Sequence, residues 1–474
     1  MLTTRAIVIF SMATFSGLLL IGALFLFFFV DINGYKTKLE ATASKALGVD
    51  VKVDGRMKLG FYPALRVALG EVSFRKHGVE VAFVKQVRFG LELIPLLQQA
   101  IEVHSVTLKQ LRVSIERDGA GNFNFDKPEA SGANLALQKL TKITLSDASL
   151  VYIDKQFGDV FESSGCNLGV KQIRLSDDTL FKLMKGLSST AQLSCKELRR
   201  NDLMVSDIKV SARVNQGVVD LKLVSQRLFG AQGSGSIQAD FSGAVPLYHV
   251  DYSLSQFQVE AFFKTQVPQE VAAGLMDFSM TLSMQGESVA TIRQSAKGQV
   301  SLRGDDLMVY GTNFDQAFAR FESSQQFNLI DAGAFFFAGP VGLMISKGYN
   351  FANLLQESKG HSQIRTLVSD WKVEHGVAQA LDVAMATEKN RIALKGGLDF
   401  VNEQFDGVTV ALVNTKGCVE VKQTIGGSFQ NPEVGKPSIL TSLAGPALKL
   451  LEKGKNILPD GECDVFYAGS VRPN

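Results

Sequence analysis

The segment FSMTLSM, residues 278–284, alternates strictly between apolar side chains and small hydroxyl side chains. Its apolar members are Phe278, Met280, Leu282 and Met284. Successive side chains of a β-strand point to opposite faces, so a period of two predicts a strand with one apolar and one polar face. Strands of this kind are typical of an antiparallel sheet that is wetted on one side.

The same alternation recurs along the chain, at VDVKVD (49–54), VDLKL (219–223) and VDYSL (250–254). Glycine-containing turns separate such segments and no β-α-β-α rhythm appears, which predicts a mainly β fold with a few short helices. One helix is expected over residues 35–47, ending at Gly48. Alternation alone does not separate an open sheet from a closed β-sandwich.

Residues 6–30 carry no charge and are long enough to cross a bilayer, which takes about 20 apolar residues. The segment predicts a transmembrane helix that contains Ala6, Phe15, Leu20 and Val30. Arg5 precedes it, so the positive-inside rule places residues 1–5 in the cytoplasm and the bulk of the chain across the membrane. The alternative is a cleaved signal peptide, but its apolar region is usually shorter, and no small-residue cleavage motif precedes residue 31.

The four cysteines form two sequence-local pairs, Cys166 with Cys195 and Cys418 with Cys463. An even number in an oxidising compartment suggests disulfides, and these two pairs minimise the loops, although four cysteines permit three pairings. Four buried free thiols are the alternative. No C-x-x-C occurs and the five histidines are scattered, so no metal site is expected.

Charge and motifs exclude several functions. The chain has 49 Lys and Arg against 47 Asp and Glu, with no basic run interleaved with aromatic residues, so no nucleic-acid partner is expected. Ser206 and Lys209 have the spacing of a nucleophile pair but lie in a strand-like run. Asp305 and Asp306 are neighbours that would point to opposite faces of a strand. We therefore expect no enzyme activity and no cofactor.

Several segments resemble the AsmA family of the bacterial envelope. ALGVDVKVDGRMKLGFYPALRVALGEVSF (46–74), LELIPLL (91–97) and IEVHSVTLKQLRVSIERDGAGNFNF (101–125) are similar to the family's opening strands. At the other end, residues 382–418 and 463–471 resemble a branch with a short periplasmic part. The residues between 130 and 290 resemble the family only in style.

The resemblance implies an elongated, curved antiparallel sheet, a half-pipe whose apolar concave face holds acyl chains. It implies a single-pass protein of the inner (plasma) membrane with a periplasmic bulk, whose partners are phospholipids and envelope proteins. The implied role is phospholipid transport and outer-membrane biogenesis. The alternative role is a structural or assembly factor for outer-membrane proteins, or for protein targeting to the membrane.

Two segments are candidates for the lipid-binding groove. One is the apolar face formed by Phe278, Met280, Leu282 and Met284, which would serve equally as plain core. The other is DAGAFFFAGPVGLMIS (331–346), where Phe335 and Phe337 would form either a lipid-contacting lip or a core strand.

The chain is predicted to divide into successive regions. These are a cytoplasmic tip (1–5), a transmembrane helix (6–30), an N-terminal β region (31–130), a middle β region (131–290), a C-terminal β region (291–430) and a tail with an amphipathic helix (431–474).

Overall fold

The computed structural model describes residues 36–60, 65–92, 102–124, 140–174, 188–265, 270–311, 313–316, 318, 360–439, 463 and 465–473. They form a mainly β structure with few helices, which confirms the predicted class. The chain divides into two compact units between Gln216 and Gly217, a point inside the region 131–290.

The predicted transmembrane helix over residues 6–30 lies outside the described residues, as do Phe335 and Phe337. Within the part that the structure describes, no helix is long and apolar enough to cross a membrane.

The first described element of unit 1 is a helix, and nine described strands follow it. Its elements are α1 (Lys36–Leu47), β1 (Asp50–Val53), β2 (Met57–Gly60), β3 (Arg66–Lys76), β4 (Val79–Leu91), β5 (Val103–Arg117), β6 (Lys142–Asp154), β7 (Asp159–Arg174), β8 (Ser188–Arg200) and β9 (Leu203–Asn215).

Most strands of unit 1 pair antiparallel with the next along the chain, while β1 and β2 both pair with β3. The pairing of β5 with β6 differs from the predicted antiparallel arrangement, because these two strands are parallel. A parallel pair needs a connection of about a dozen residues or more. The chain between Arg117 and Lys142 is long enough to return to the start of β5.

Helix α1 protects the free edge of β1. Its Leu39 and Ala43 pack against the apolar face of β1–β4. The backbone N–H groups of β1 that do not bond to β3 find side-chain acceptors on α1. Val51 donates to Ser44 Oγ at 2.8 Å and Val53 donates to Glu40 Oε1 at 2.8 Å. An edge satisfied in this way offers no free ladder to another strand.

A row of residues with left-handed backbone crosses the sheet of unit 1. We call Glu71 (φ 48°), Gln110 (φ 49°), Asp147 (φ 55°) and Asp207 (φ 53°) the left-handed row. Two of its members are joined directly, since Gln110 Nε2 donates to Asp147 Oδ2 at 3.1 Å. Such a conformation costs about 1–2 kcal/mol at a non-glycine residue, so the sheet must gain something in return.

In return, the alternation of side chains shifts by one position at this row, so that a different set of residues faces the core on each side of it. In β3 both Leu69 and Val72 are buried in the same apolar cluster, although they are three residues apart. The same holds for Val84 and Val87 in β4. At the left-handed row, therefore, two successive residues of a strand face outward before the alternation resumes.

The disulfide Cys166–Cys195 joins neighbouring strands β7 and β8 beside this row. Its sequence separation is 29 residues and its Cα atoms are 4.0 Å apart. Cross-linking removes conformations mainly from the unfolded chain, and a loop of this length corresponds to about 3–4 kcal/mol in the chain-entropy account.

We expect the double substitution Cys166→Ala and Cys195→Ala to lower the free energy of unfolding by about 3–4 kcal/mol. Urea unfolding of the full chain, followed by circular dichroism, measures this loss. The wild-type protein under reducing conditions should lose more than the double variant, because the second disulfide, Cys418–Cys463, is then broken as well. An unchanged midpoint in both experiments contradicts a stabilising role for this disulfide.

Among the described residues, the named elements of unit 2 are the short helices α2 and α3 and the remaining strands. Its elements are β10 (Val218–Leu228), β11 (Ala231–Asp240), β12 (Leu247–Gln258), α2 (Val259–Phe263), β13 (Ala272–Gln285), α3 (Val289–Ser295), β14 (Lys297–Tyr310), β15 (His361–Glu374), β16 (Val377–Ala386), β17 (Arg391–Asp399), β18 (Gln404–Val413), β19 (Val419–Ser428), β20 (Asn431–Val434) and β21 (Ser438–Ile439).

From β10 to β19 each strand of unit 2 pairs antiparallel with the next, and β20 and β21 both pair with β19. The last strands do not pair back with β10 among the described residues. The strands of unit 2 therefore form one open sheet, and the alternative of two facing sheets in a closed sandwich is wrong for the described residues.

One end of the apolar face of this sheet is densely packed. Helix α2 buries Phe262 against Phe257 and Phe229, with ring centroids 6.4 and 5.4 Å apart. Leu307 and Ile364 are completely inaccessible to solvent in the same half of the unit.

The C-terminal tail, residues 465–473, packs on the sheet and is joined to it covalently through the disulfide Cys418–Cys463. Tyr467 donates its hydroxyl proton to Asp382 at 2.6 Å, and the Ser470 N–H donates to the other carboxylate oxygen at 2.9 Å. Burial raises the pKa of the Asp382 carboxyl, but the hydrogen bonds from Ser470 and Tyr467 outweigh it and lower the pKa below the ordinary value.

A lowered pKa in the folded state means that Asp382 stabilises docking of the tail above its unfolded value, about 3.9. That contribution is lost as the pH falls through the folded value. We expect the hydrogen-exchange protection of the Ser470 amide to drop on acidification below about pH 4. The variant Asp382→Asn should show weaker protection at neutral pH and no further drop in acid. A drop of equal size in both proteins contradicts this assignment.

Candidate functional site

At the opposite end from α2, the apolar face of unit 2 encloses a cavity of about 520 Å³, which we call the apolar hollow. The hollow is lined by Phe278, Met280, Leu282, Met284, Ile292, Arg293, Ala296, Val300, Trp371, Val373, Gly376, Ala378, Phe400, Glu403, Phe429 and Gln430. Its volume falls in the range of small-molecule sites, roughly 300–1,000 Å³.

The strand register builds the wall of the hollow. Met280 lies opposite Tyr252 on one side and Val300 on the other, and Val300 in turn lies opposite Trp371. In the next row, Leu282 lies opposite Gly298. A Cβ on Gly298 would contact the backbone of Thr281 on the neighbouring strand, so this close approach of β13 and β14 requires glycine.

Burial changes along β13 at this point. Met276 and Phe278 are 2% and 4% exposed, whereas Met280, Leu282 and Met284 are only half-buried, although all five lie on the same face. Helix α2 and its neighbours cover the first part of the strand. The second part faces the hollow. The space above its apolar side chains is enclosed by walls but is not filled by other side chains.

The rim of the hollow consists of turns that are joined to each other by backbone hydrogen bonds. The Gly376 N–H donates to the Ala296 carbonyl at 3.0 Å, and the Phe400 N–H donates to the Gly376 carbonyl at 3.1 Å. The Phe429 N–H donates to the Glu403 carbonyl at 2.8 Å. These bonds hold four separate chain segments at fixed distances around the opening.

Helix α3 forms one side of the rim without burying any of its residues. A capping box between Ser288 and Thr291 fixes its start, and Ser295 Oγ donates to the Gln285 carbonyl at 2.6 Å at its end. Across the opening, Arg293 of α3 pairs with Glu403 of the β17–β18 turn at 3.1 Å. Both side chains are about half exposed, at 51% and 54%, so the pair contributes little to stability.

Trp371 is the largest aromatic side chain of the hollow, and its one polar group has a hydrogen-bond partner. Trp371 is 1% exposed, and its Nε1–H donates to Ser369 Oγ at 2.7 Å. The indole therefore presents only its apolar surface to the hollow. The charged groups stand at the opening, which gives an apolar interior with a polar rim.

The structure places the predicted groove residues as follows. Phe278, Met280, Leu282 and Met284 line one wall of the apolar hollow together, while a role in lipid binding stays a prediction. The other predicted pair lies outside the described residues.

Trp371, Phe400 and Phe429 also line the hollow but were not predicted. Trp371 could have been found, because Trp371 and Val373 alternate with Asp370 and Lys372 as in the other strands. The two phenylalanines lie next to turns, where the period of two no longer applies.

Other depressions of the molecule have a different character. A cavity of about 660 Å³ at the end of β10–β14 has a mixed lining, with Asp240, His249 and Lys297 beside Leu247 and Met284. No group of three or more histidine, cysteine, aspartate or glutamate side chains suited to a metal ion occurs within the described ranges. Of these two cavities, the apolar hollow has the more apolar lining.

Gly376 allows the rim to close. Its φ is +77°, and a Cβ at this position would contact the Arg293 carbonyl oxygen and lie 2.6 Å from Val401 Cγ2. The turn can therefore approach α3 only without a side chain.

We expect Gly376→Ala to lower the free energy of unfolding by about 2–3 kcal/mol, through backbone strain and the contact with α3. The matched control is Gly407→Ala, since Gly407 has a φ of +57° and nothing within 4 Å of the added Cβ. The control should lose about 1 kcal/mol, from strain alone. Chemical denaturation of the two variants checks this, and equal losses would show that the rim contact is unimportant.

Comparison with known proteins gives one match. A model of the AsmA family matches residues 1–189 and 184–332, together 332 of the 474 residues. The match covers the middle of the chain, which resembled the family only in style, and ends before the resembling segment at 382–418. No curated protein and no solved structure matches the chain.

Proposed function

The chain belongs to the AsmA family, and from this premise we propose that it binds lipid acyl chains in the apolar hollow. In this proposal the predicted helix over residues 6–30 anchors the protein in the bacterial inner membrane and the two units lie in the periplasm. Lipid binding by the open sheet supports phospholipid transport and outer-membrane biogenesis.

The observation that carries the proposal is the unfilled apolar wall of β13. Met280, Leu282 and Met284 face the hollow, yet they stay half-buried while Phe278 beside them is fully packed. Leaving such a surface in water is unfavourable unless a ligand covers it. Methionine suits this task because its flexible thioether adapts to chains of different shape.

Burial of methylene groups supplies the binding free energy. Each CH₂ group removed from water contributes about 0.8 kcal/mol, so ten methylenes contribute about 8 kcal/mol before ordering costs are subtracted. The charged head group stays at the opening, where Arg293 and Glu403 are exposed to solvent. An acyl chain enters the hollow while its head group remains hydrated.

The proposed role is passive and needs no catalysis or cofactor. A groove that shields acyl chains lowers the barrier to moving a lipid through water, and the direction of transport is set by the donor and acceptor membranes or by partner proteins. In this scheme the sheet provides the apolar path, and envelope partner proteins deliver the lipid to it and receive the lipid from it.

The alternative, binding of outer-membrane proteins by strand addition, depends on a free sheet edge. In unit 1 the edge of β1 is occupied, because Ser44 and Glu40 accept hydrogen bonds from its free N–H groups. This contact closes the edge of β1 to strand addition, so the alternative would have to use another edge, such as that of β20 and β21, which pair only with β19 among the described residues.

The test compares two carboxylates introduced on opposite faces of β13. Leu282→Asp places a charge inside the hollow, and Ser279→Asp places the same charge on the exposed face. We expect Leu282→Asp to reduce phospholipid that copurifies with the full chain, counted by mass spectrometry, at least about tenfold, since an unpaired carboxylate among alkyl chains is strongly unfavourable.

The control should retain the wild-type amount of lipid. Circular dichroism shows whether both variants fold, and photo-crosslinking to a diazirine-labelled phospholipid gives an independent measure of contact with the wall. Equal lipid content in wild type and Leu282→Asp, with both folded, overturns the proposal, as does a wild-type protein that carries no lipid.

A further inference from the structure

Another depression, of about 540 Å³, lies on the polar face of unit 1, away from the core that contacts α1. We call it the basic depression. Four basic side chains line it, Arg56, Lys58, Lys85 and Lys109. The acidic side chain at its edge is Glu71.

The floor of the basic depression is backbone, because two chain segments approach too closely for side chains. The Gly55 N–H donates to the Gly70 carbonyl at 3.0 Å. A Cβ on Gly55 would lie 2.6 Å from the carbonyl carbon of Gly70, so a side chain cannot fit there. Ala68 completes a shallow floor with little side-chain volume above it.

The shift in alternation that accompanies the left-handed row places several basic groups around this floor. Val84 and Val87 both face the core, so Lys85 and Gln86 between them both point outward. Lys109 and Gln110 form a second outward pair on the neighbouring strand. The shift in alternation therefore concentrates long polar side chains on the outer face.

The charge of the basic depression is not balanced locally. Arg56, Lys58, Lys85 and Lys109 are all exposed, and none of them forms an ion pair with another described residue. The whole chain carries a net charge of only +2, so this cluster is a local excess. Uncompensated cations around an open floor favour an anionic partner.

We infer that the basic depression docks on the head groups of anionic phospholipids at a bilayer surface. Lysine and arginine near such a surface are each attracted by their charge, and an open, shallow floor fits a surface of phosphates rather than an enclosed ligand. The position in the chain fits as well. Five residues, 31–35, separate the predicted membrane span from α1, and they reach at most about 18 Å when extended.

Docking would hold unit 1 in a fixed orientation against the membrane. This function is distinct from binding in the apolar hollow, because it uses other residues, the opposite kind of surface and another unit. Failure of one leaves the other standing.

The test measures lysine accessibility in the full chain reconstituted into vesicles. Acetylation rates are compared by mass spectrometry between vesicles of pure phosphatidylcholine and vesicles containing about one third phosphatidylglycerol. We expect Lys58, Lys85 and Lys109 to react several-fold more slowly with phosphatidylglycerol present. Lys209 and Lys222, which are exposed elsewhere, should react at equal rates in both. High salt should remove the protection, since it screens exposed charges.

Lys85→Gln should reduce the protection of Lys58 and Lys109 about fivefold, the effect of one basic residue near an anionic surface, and Lys222→Gln should leave it unchanged. Equal rates in both vesicle types overturn the inference. Protection by inorganic phosphate alone, in phosphatidylcholine vesicles, would also overturn it, because it would identify a site for a free anion.

Discussion

The apolar face of an open sheet must be covered, and the structure of unit 2 follows from how this is done. No second sheet faces it among the described strands, so coverage comes from α2 and the turns at the strand ends, whereas the C-terminal tail packs on the opposite face, against Val368 and Ala384. Helix α2 and the turns fill one end completely, as the inaccessible Leu307 and Ile364 show. At the other end they form walls around a space, and the apolar hollow is what remains.

The mainly β class and the one-sided strands could be predicted from the sequence because they depend only on the period of two. The wall formed by Met280, Leu282 and Met284 follows from the same period. Whether a given apolar face is packed or open depends on which distant segments cover it, as α2 covers Phe257 but not Met284. Alternation carries no information on that, which is why the sequence left core and groove as alternatives.

Two features of unit 1 could not be predicted from the local alternation of apolar and polar residues, each for a different reason. The parallel pairing of β5 with β6 is decided by the path of a long connection, whereas the side-chain period is the same in parallel and antiparallel strands. The left-handed row interrupts the period at Glu71 and Gln110, and such an interruption looks like the end of a strand. In the structure the strands continue through the row. Beyond it, side chains at the alternate set of positions point to the core.

The disulfide at the end of the chain also has a mechanical meaning. Cys418 lies at the turn between β18 and β19, and Cys463 lies just before the docked tail. A force applied to the C-terminus passes through this bond directly into the β18–β19 turn and bypasses residues 419–462. A cut in the backbone between the two cysteines would likewise leave the tail attached. The last strands of the sheet are therefore enclosed in a covalent ring, and they cannot be peeled away from the free end of the chain.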